Sequence, residues 1–171
     1  MAMRMPSVAS LVVIGSIALG STPRASADPD RGEDKGAFGL GVMIGEPVGL
    51  SAKLYLRDDR AIQAGIGSAF YGGGFQASAD YLFHPFILQD RDSFTMPFYV
   101  GPGIRVVDYD QGRSGPSYLA IGIRGVVGIL FDFKKVPLDV FIEIAGIPEY
   151  GFDDHGFNIR LNADAGIRYY F

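Results

Sequence analysis

Fourteen consecutive residues at the C-terminus, Asn158 to Phe171, alternate apolar and polar side chains without interruption. Ile159, Leu161, Ala163, Ala165, Ile167, Tyr169 and Phe171 fall on one face, and Asn158, Arg160, Asn162, Asp164, Gly166, Arg168 and Tyr170 on the other. Successive side chains of a strand point to opposite sides, so this period of two predicts one long strand with an oily face and a charged face. A helix cannot carry that pattern.

Period-two stretches separated by turn residues recur upstream. They predict eight strands, over 36–46, 47–57, 61–70, 75–84, 96–107, 118–131, 138–148 and 158–171. Most lie near the ~9–11 residues of a tilted membrane strand. The turn signals between them include Gly45-Glu46-Pro47, Asp58-Asp59 and Gly72-Gly73-Gly74, with longer connections over 85–95, 108–117 and 149–157. The fold class expected is therefore all-β, an eight-stranded antiparallel up-and-down barrel.

The N-terminus speaks to location. Arg4 precedes an apolar run, Val8 to Gly20, and Ala25-Ser26-Ala27 offers a small-residue cleavage site. This is the pattern of a secretory signal peptide, too short for a transmembrane helix. Cleavage leaves a domain of about 144 residues, with 28–35 as a solvated leader and 36–171 as the barrel. Losing Arg4 and Arg24 takes the formal charge from −4 to about −6, which argues against nucleic acid as a partner. The chain has no cysteine, so neither a disulfide framework nor a thiolate metal site is available. The longest charge-free stretch, Ile62 to Ala79, is broken by five glycines and cannot cross a bilayer as a helix.

A soluble barrel of lipocalin type would turn the oily face inward and the polar face to water. Two features favour the opposite arrangement. The polar face is mostly Gly, Ser and Ala with isolated charges, rather than the Lys, Glu and Thr of a wetted strand surface. Glycine is a poor strand residue, and its repeated use suggests a narrow lumen in which small residues make room for large charged ones. Those charges also balance: Lys53, Arg105, Arg124, Arg160 and Arg168 share the face of Asp80, Asp139, Glu143 and Asp164. An unpaired charge in such an interior costs several kcal/mol, so an interlocked ion-pair network plugging the lumen is expected. The aromatics Phe38, Tyr55, Phe70, Tyr71, Phe83, Phe98, Phe131, Tyr169 and Phe171 lie near strand ends, as interfacial girdles do.

Taken together, the architecture resembles the OmpA/OmpX-type eight-stranded barrels. GEPVGLSAKLYL (45–56), ADYLFHPF (79–86), PFYVGPGIR (97–105), VPLDVFIEIA (136–145) and LNADAGIRYYF (161–171) are similar to a domain-of-unknown-function family of small bacterial outer-membrane proteins. The resemblance implies the bacterial outer membrane, with both termini in the periplasm. It also implies Tyr169 and Phe171 as the signal read by the barrel-assembly machinery, and lipid and lipopolysaccharide as surroundings. It implies no catalytic residue.

Candidate chemistry in the residues is sparse. His84 shares a face with Asp80, and His155 follows Asp153 and Asp154 in a loop, but each also reads as an ordinary lumen or loop histidine. A His–Ser pair two apart, as in serine lipid A deacylases, is absent: Phe86 and Phe157 stand at those positions. Asp108, Asp110, Asp153 and Asp154 fit no dedicated cation site, and Gly72-Gly73-Gly74 no phosphate loop. No cofactor or metal is expected. The function expected is a non-enzymatic envelope or surface-interaction barrel, with loops 108–117 and 149–157 meeting any extracellular ligand. A narrow pore is the alternative, and a lipid-modifying enzyme a second.

Overall fold

The computed structural model describes residues 35–69, 74–110, 117–153 and 155–171. The signal peptide, nearly all of the leader, Phe70 to Gly73 and Asp154 lie outside those residues, as does 111–116.

Eight strands follow one another in chain order: β1 (Phe38–Gly45), β2 (Val48–Arg57), β3 (Arg60–Ser68), β4 (Phe75–Asp90), β5 (Phe94–Tyr109), β6 (Tyr118–Phe133), β7 (Leu138–Gly151) and β8 (Gly156–Tyr170). Each pairs antiparallel with its chain neighbours, and β1 pairs with β8, so the sheet closes into a barrel. The registers step from Gly45 through Asp164, Glu143 and Gly128 to Tyr99, toward the end of the long β5 strand away from Tyr109, the kind of stagger that accompanies tilted strands in a closed barrel.

Two expected connections are in fact strand. The segment 85–95 is a continuation of the β4–β5 hairpin, turned over 91–93. Register shifts between Phe83 and Phe86, and between Ile87 and Gln89, each insert an extra residue opposite β5. Such bulges break the period of two, and Pro85 adds a turn-like signal at the same place. The 149–157 loop likewise contracts to a tight turn, because β7 runs to Gly151 and β8 starts at Gly156. Asp153 and Gly156 supply the positive φ values that this turn needs.

The wall is uneven. β1, β2 and β3 have 8, 10 and 9 residues, whereas β4, β5 and β6 have 16 each. At the end away from the termini, β8 therefore rises past β1. The β1 partners of β8 stop at Asp164, while its β7 partners continue to Gly156. Among the described residues, Phe157, Ile159 and Leu161 line an open strand edge there.

The distribution of side chains is inverted relative to a water-soluble domain. Val42, Leu50, Ile104, Ile123, Ile142 and Ile167 face outward and are exposed, while Lys53, Arg105, Arg124, Asp139 and Arg168 are fully buried inside. The termini end of the outer wall carries Phe38, Phe83, Phe86, Tyr169 and Phe171. The Phe86 and Phe98 rings stack there at 4.9 Å, and Phe171 closes the ring of strands by donating its N–H to the Phe38 carbonyl at 2.9 Å. Tyr55, expected among these girdle aromatics, instead points inward and is buried. No described helix is long and apolar enough to cross a membrane, which says nothing of a barrel.

Candidate functional site: the packed interior

The barrel interior gathers the charged residues in three tiers. The middle tier centres on Arg124 of β6, which reaches three carboxylates on three other strands. Its Nη2 donates to Glu143 Oε1 at 2.5 Å and to Asp164 Oδ2 at 3.4 Å, and its Nε lies 3.2 Å from Asp80 Oδ1. The other Glu143 oxygen accepts from Gln63 at 2.8 Å and from the Tyr99 hydroxyl at 2.7 Å. Asp164 also accepts the Glu46 backbone N–H at 2.7 Å, tying the β1–β2 turn to β8.

Glycine makes this tier possible. A Cβ at Gly128 would overlap the Tyr99 ring, and one at Gly103 would overlap the Asp80 carboxylate. The small residues on the inner face are thus the space into which large neighbours fold.

Toward the termini, Arg168 donates to Asp139 Oδ1 at 3.0 Å and to Gln63 Oε1 at 2.7 Å, and stacks over the Phe141 ring at 4.0 Å. The Tyr170 hydroxyl donates to Asp139 Oδ2 at 2.5 Å. Lys53 lies 3.0 Å from His84 Nε2 and sits over the rings of Tyr55 and Tyr99. Lys35 pairs with Asp132 at the very end.

Toward the far mouth, Arg105 donates to Glu149 at 3.1 Å, to Gln76 at 2.7 Å and to the Tyr109 hydroxyl at 3.2 Å. Arg160 donates to Glu149 at 3.2 Å, yet its side chain is 46% exposed, so it stands at the mouth rather than in the lumen. Tyr109 stacks on Tyr118 at 5.0 Å, and Tyr118 on the His155 ring at 3.7 Å. The His155 Nδ1–H donates to the Asp153 carbonyl at 2.8 Å, which holds the imidazole flat over that column.

The structure thus brings Asp80, Arg124, Glu143 and Asp164 together, pairs Arg168 with Asp139, sets Lys53 apart toward the termini, and gathers Arg105 and Arg160 on Glu149 at the far mouth. Sequence reading missed Glu46 and Glu149, the acids that serve Arg105. Glu149 keeps the parity of Asp139 and Glu143, a signal hidden by assigning 149–157 to a loop. Gln63, Tyr99, Tyr109 and Tyr170 were missed as members because a neutral polar group carries no charge balance to betray it.

Chemically, the interior is a set of buried ion pairs, in which Arg124 Nη1 and Arg168 Nη2 have no hydrogen-bond partner among the described residues. His84 packs against Lys53 and aromatic rings, and His155 lies on Tyr118. Among the described residues, no group of three or more His, Asp or Glu is arranged to hold a metal ion. No protein-family model, curated protein or solved structure matches the chain.

Proposed function

We propose that the protein is an integral outer-membrane β-barrel without enzymatic activity, its lumen closed by ion pairs and its far end offered to partners outside the cell. The observation that carries this reading is the inverted distribution, an apolar outer wall around a charged interior. In lipid every backbone polar group must be satisfied within the structure, and a closed ring of strands does so. In water the same outer wall would be an exposed apolar surface far larger than soluble monomers carry. The girdle of aromatics at the termini end is where an interface would lie, and on this reading both termini are periplasmic, with Phe171 within reach of the assembly machinery.

The raised β5–β8 wall supports the surface role. Its open β8 edge offers backbone donors and acceptors to an added strand, the means by which sheet edges capture extended segments.

Single-channel recording of the chain from Asp28, refolded into a planar bilayer, tests the reading. Folding is established first by a heat-dependent shift in gel mobility. A folded barrel that conducts nothing is the expected result. Stable, charge-selective steps altered by Arg124→Ala would establish a narrow pore in its place.

A further inference from the structure

The outer wall has a charged exception at the termini end of β3. Arg60 pairs in register with Phe83 and faces outward, its guanidinium 5.8 Å from the Phe83 ring centre. Asp59 lies beside it, Oδ2 to Nε at 3.4 Å, and both side chains are largely open, 61% and 42% exposed. The turn carrying them is fixed, because the Asp59 carbonyl accepts the His84 backbone N–H at 2.8 Å. The Tyr81 ring meets Phe83 edge-on at 5.0 Å, so its hydroxyl flanks the same group.

Directly beyond this group, toward the middle of the wall, the surface dips. Ile62, Ala79, Tyr81, Pro102 and Ile104 line a shallow apolar depression, with the inward-facing Asp80 and Gly103 between them. Ala79 and Pro102 stand in that depression between the larger Ile62 and Ile104.

We propose that this face of β3–β5 holds one glycerophospholipid with a zwitterionic, primary-amine headgroup. The inference rests on the outer-membrane reading. The phosphate takes Arg60 and the Tyr81 O–H, since charge-assisted bonds to phosphate are among the stronger polar contacts available at a surface. The ammonium takes Asp59, and one acyl chain lies along Ala79 and Pro102. The existing Asp59–Arg60 pair is exposed and worth little, so a headgroup bearing both charges replaces it with small loss. An anionic headgroup without the amine would satisfy Arg60 and leave Asp59 facing negative charge. That difference selects ethanolamine over glycerol headgroups.

The test is native mass spectrometry of the full protein released by mild detergent from vesicles of equimolar phosphatidylethanolamine and phosphatidylglycerol with matched chains. One retained phosphatidylethanolamine per barrel is expected, favoured over phosphatidylglycerol by about fivefold. Arg60→Gln is expected to abolish retention of both, Asp59→Asn to shift the preference to phosphatidylglycerol, and Ala79→Leu to weaken retention without changing the order. Soluble glycerophosphoethanolamine is expected not to compete; competition would overturn the lipid as occupant in favour of a free phosphoester. Equal retention of the two lipids, unchanged in Arg60→Gln, would overturn the proposal while leaving the barrel in its membrane. Failure of the wild type to enter vesicles at all, scored by gel shift, would instead overturn the membrane reading beneath it.

Discussion

Arg124 and Glu143 meet at 2.5 Å across β6 and β7, and the same guanidinium serves Asp80 and Asp164. One arginine therefore stands between three buried acids, and removing it leaves more than a lost bond. Arg124→Ala is expected to cost about 3–5 kcal/mol, the toll of uncompensated buried charge. The chain has no tryptophan, so the loss of the heat-resistant band with urea is the practical readout. Asp80→Asn combined with Arg124→Ala should recover part of that loss; a double variant as unstable as the sum of its singles would mean the two do not interact.

Glycine on the inner wall is expected to be strictly positional. Gly128→Ala drives a methyl into the Tyr99 ring and pulls its hydroxyl from Glu143, at a cost of about 1–3 kcal/mol. Gly146→Ala, on the outward face of β7 with nothing near its added Cβ, should lie within about 0.5 kcal/mol of wild type. The same urea titration compares them. Similar losses at both sites would show that strand propensity rather than packing governs these glycines.

Ile144 lies midway along the exposed outer wall, opposite Val127 on one side and Ala163 on the other. Ile144→Arg is expected to destabilise the barrel in lipid vesicles by about 2–4 kcal/mol. A surface wetted by water would tolerate the same change almost freely. An unaltered urea midpoint in vesicles would therefore place this face outside the lipid.

Hydrogen exchange should resolve the open edge of β8 one residue at a time. The Ala163 carbonyl accepts from Glu46 on the β1 side, so Phe157, Ile159 and Leu161 direct their backbone groups the same way. Asn158, Arg160 and Asn162 direct theirs to β7. Fast exchange at the first three amides and slow exchange at the second three is expected in the isolated barrel. Uniform protection through 157–162 would mean that a further strand already covers the edge.

Strand number and the facing of most residues were legible because an unbroken period of two leaves a strand few alternatives. The final strand reads correctly from Asn158 to Tyr170 for that reason. Legibility failed where the backbone departs from that period: the two bulges of β4 hid the extension past His84, and Pro148, Gly151 and Gly156 disguised the top of the β7–β8 hairpin as loop. The charged face was visible as a set, but its pairings were not. Partners such as Arg124 and Asp80 sit on strands β6 and β4, and which residues stand level depends on the stagger of the closed ring. That quantity belongs to all eight strands at once and leaves no mark on any one of them. Tyr55 misled because an aromatic near a strand end looks like a girdle residue on either face.

The composition of the Arg124 cluster constrains how the chain can be assembled. Its four members come from β4, β6, β7 and β8, and Asp164 arrives only with the last strand, whose other edge must then find β1. Asp139 of β7 likewise meets Arg168 only when β8 docks, so ring closure and the pairing of that buried carboxylate are a single event. A chain halted before β8 lacks both Arg168 and the Tyr170 hydroxyl, the donors to Asp139. The last strand in the sequence is thus the one that completes both the hydrogen-bonded ring and the Asp139 pair.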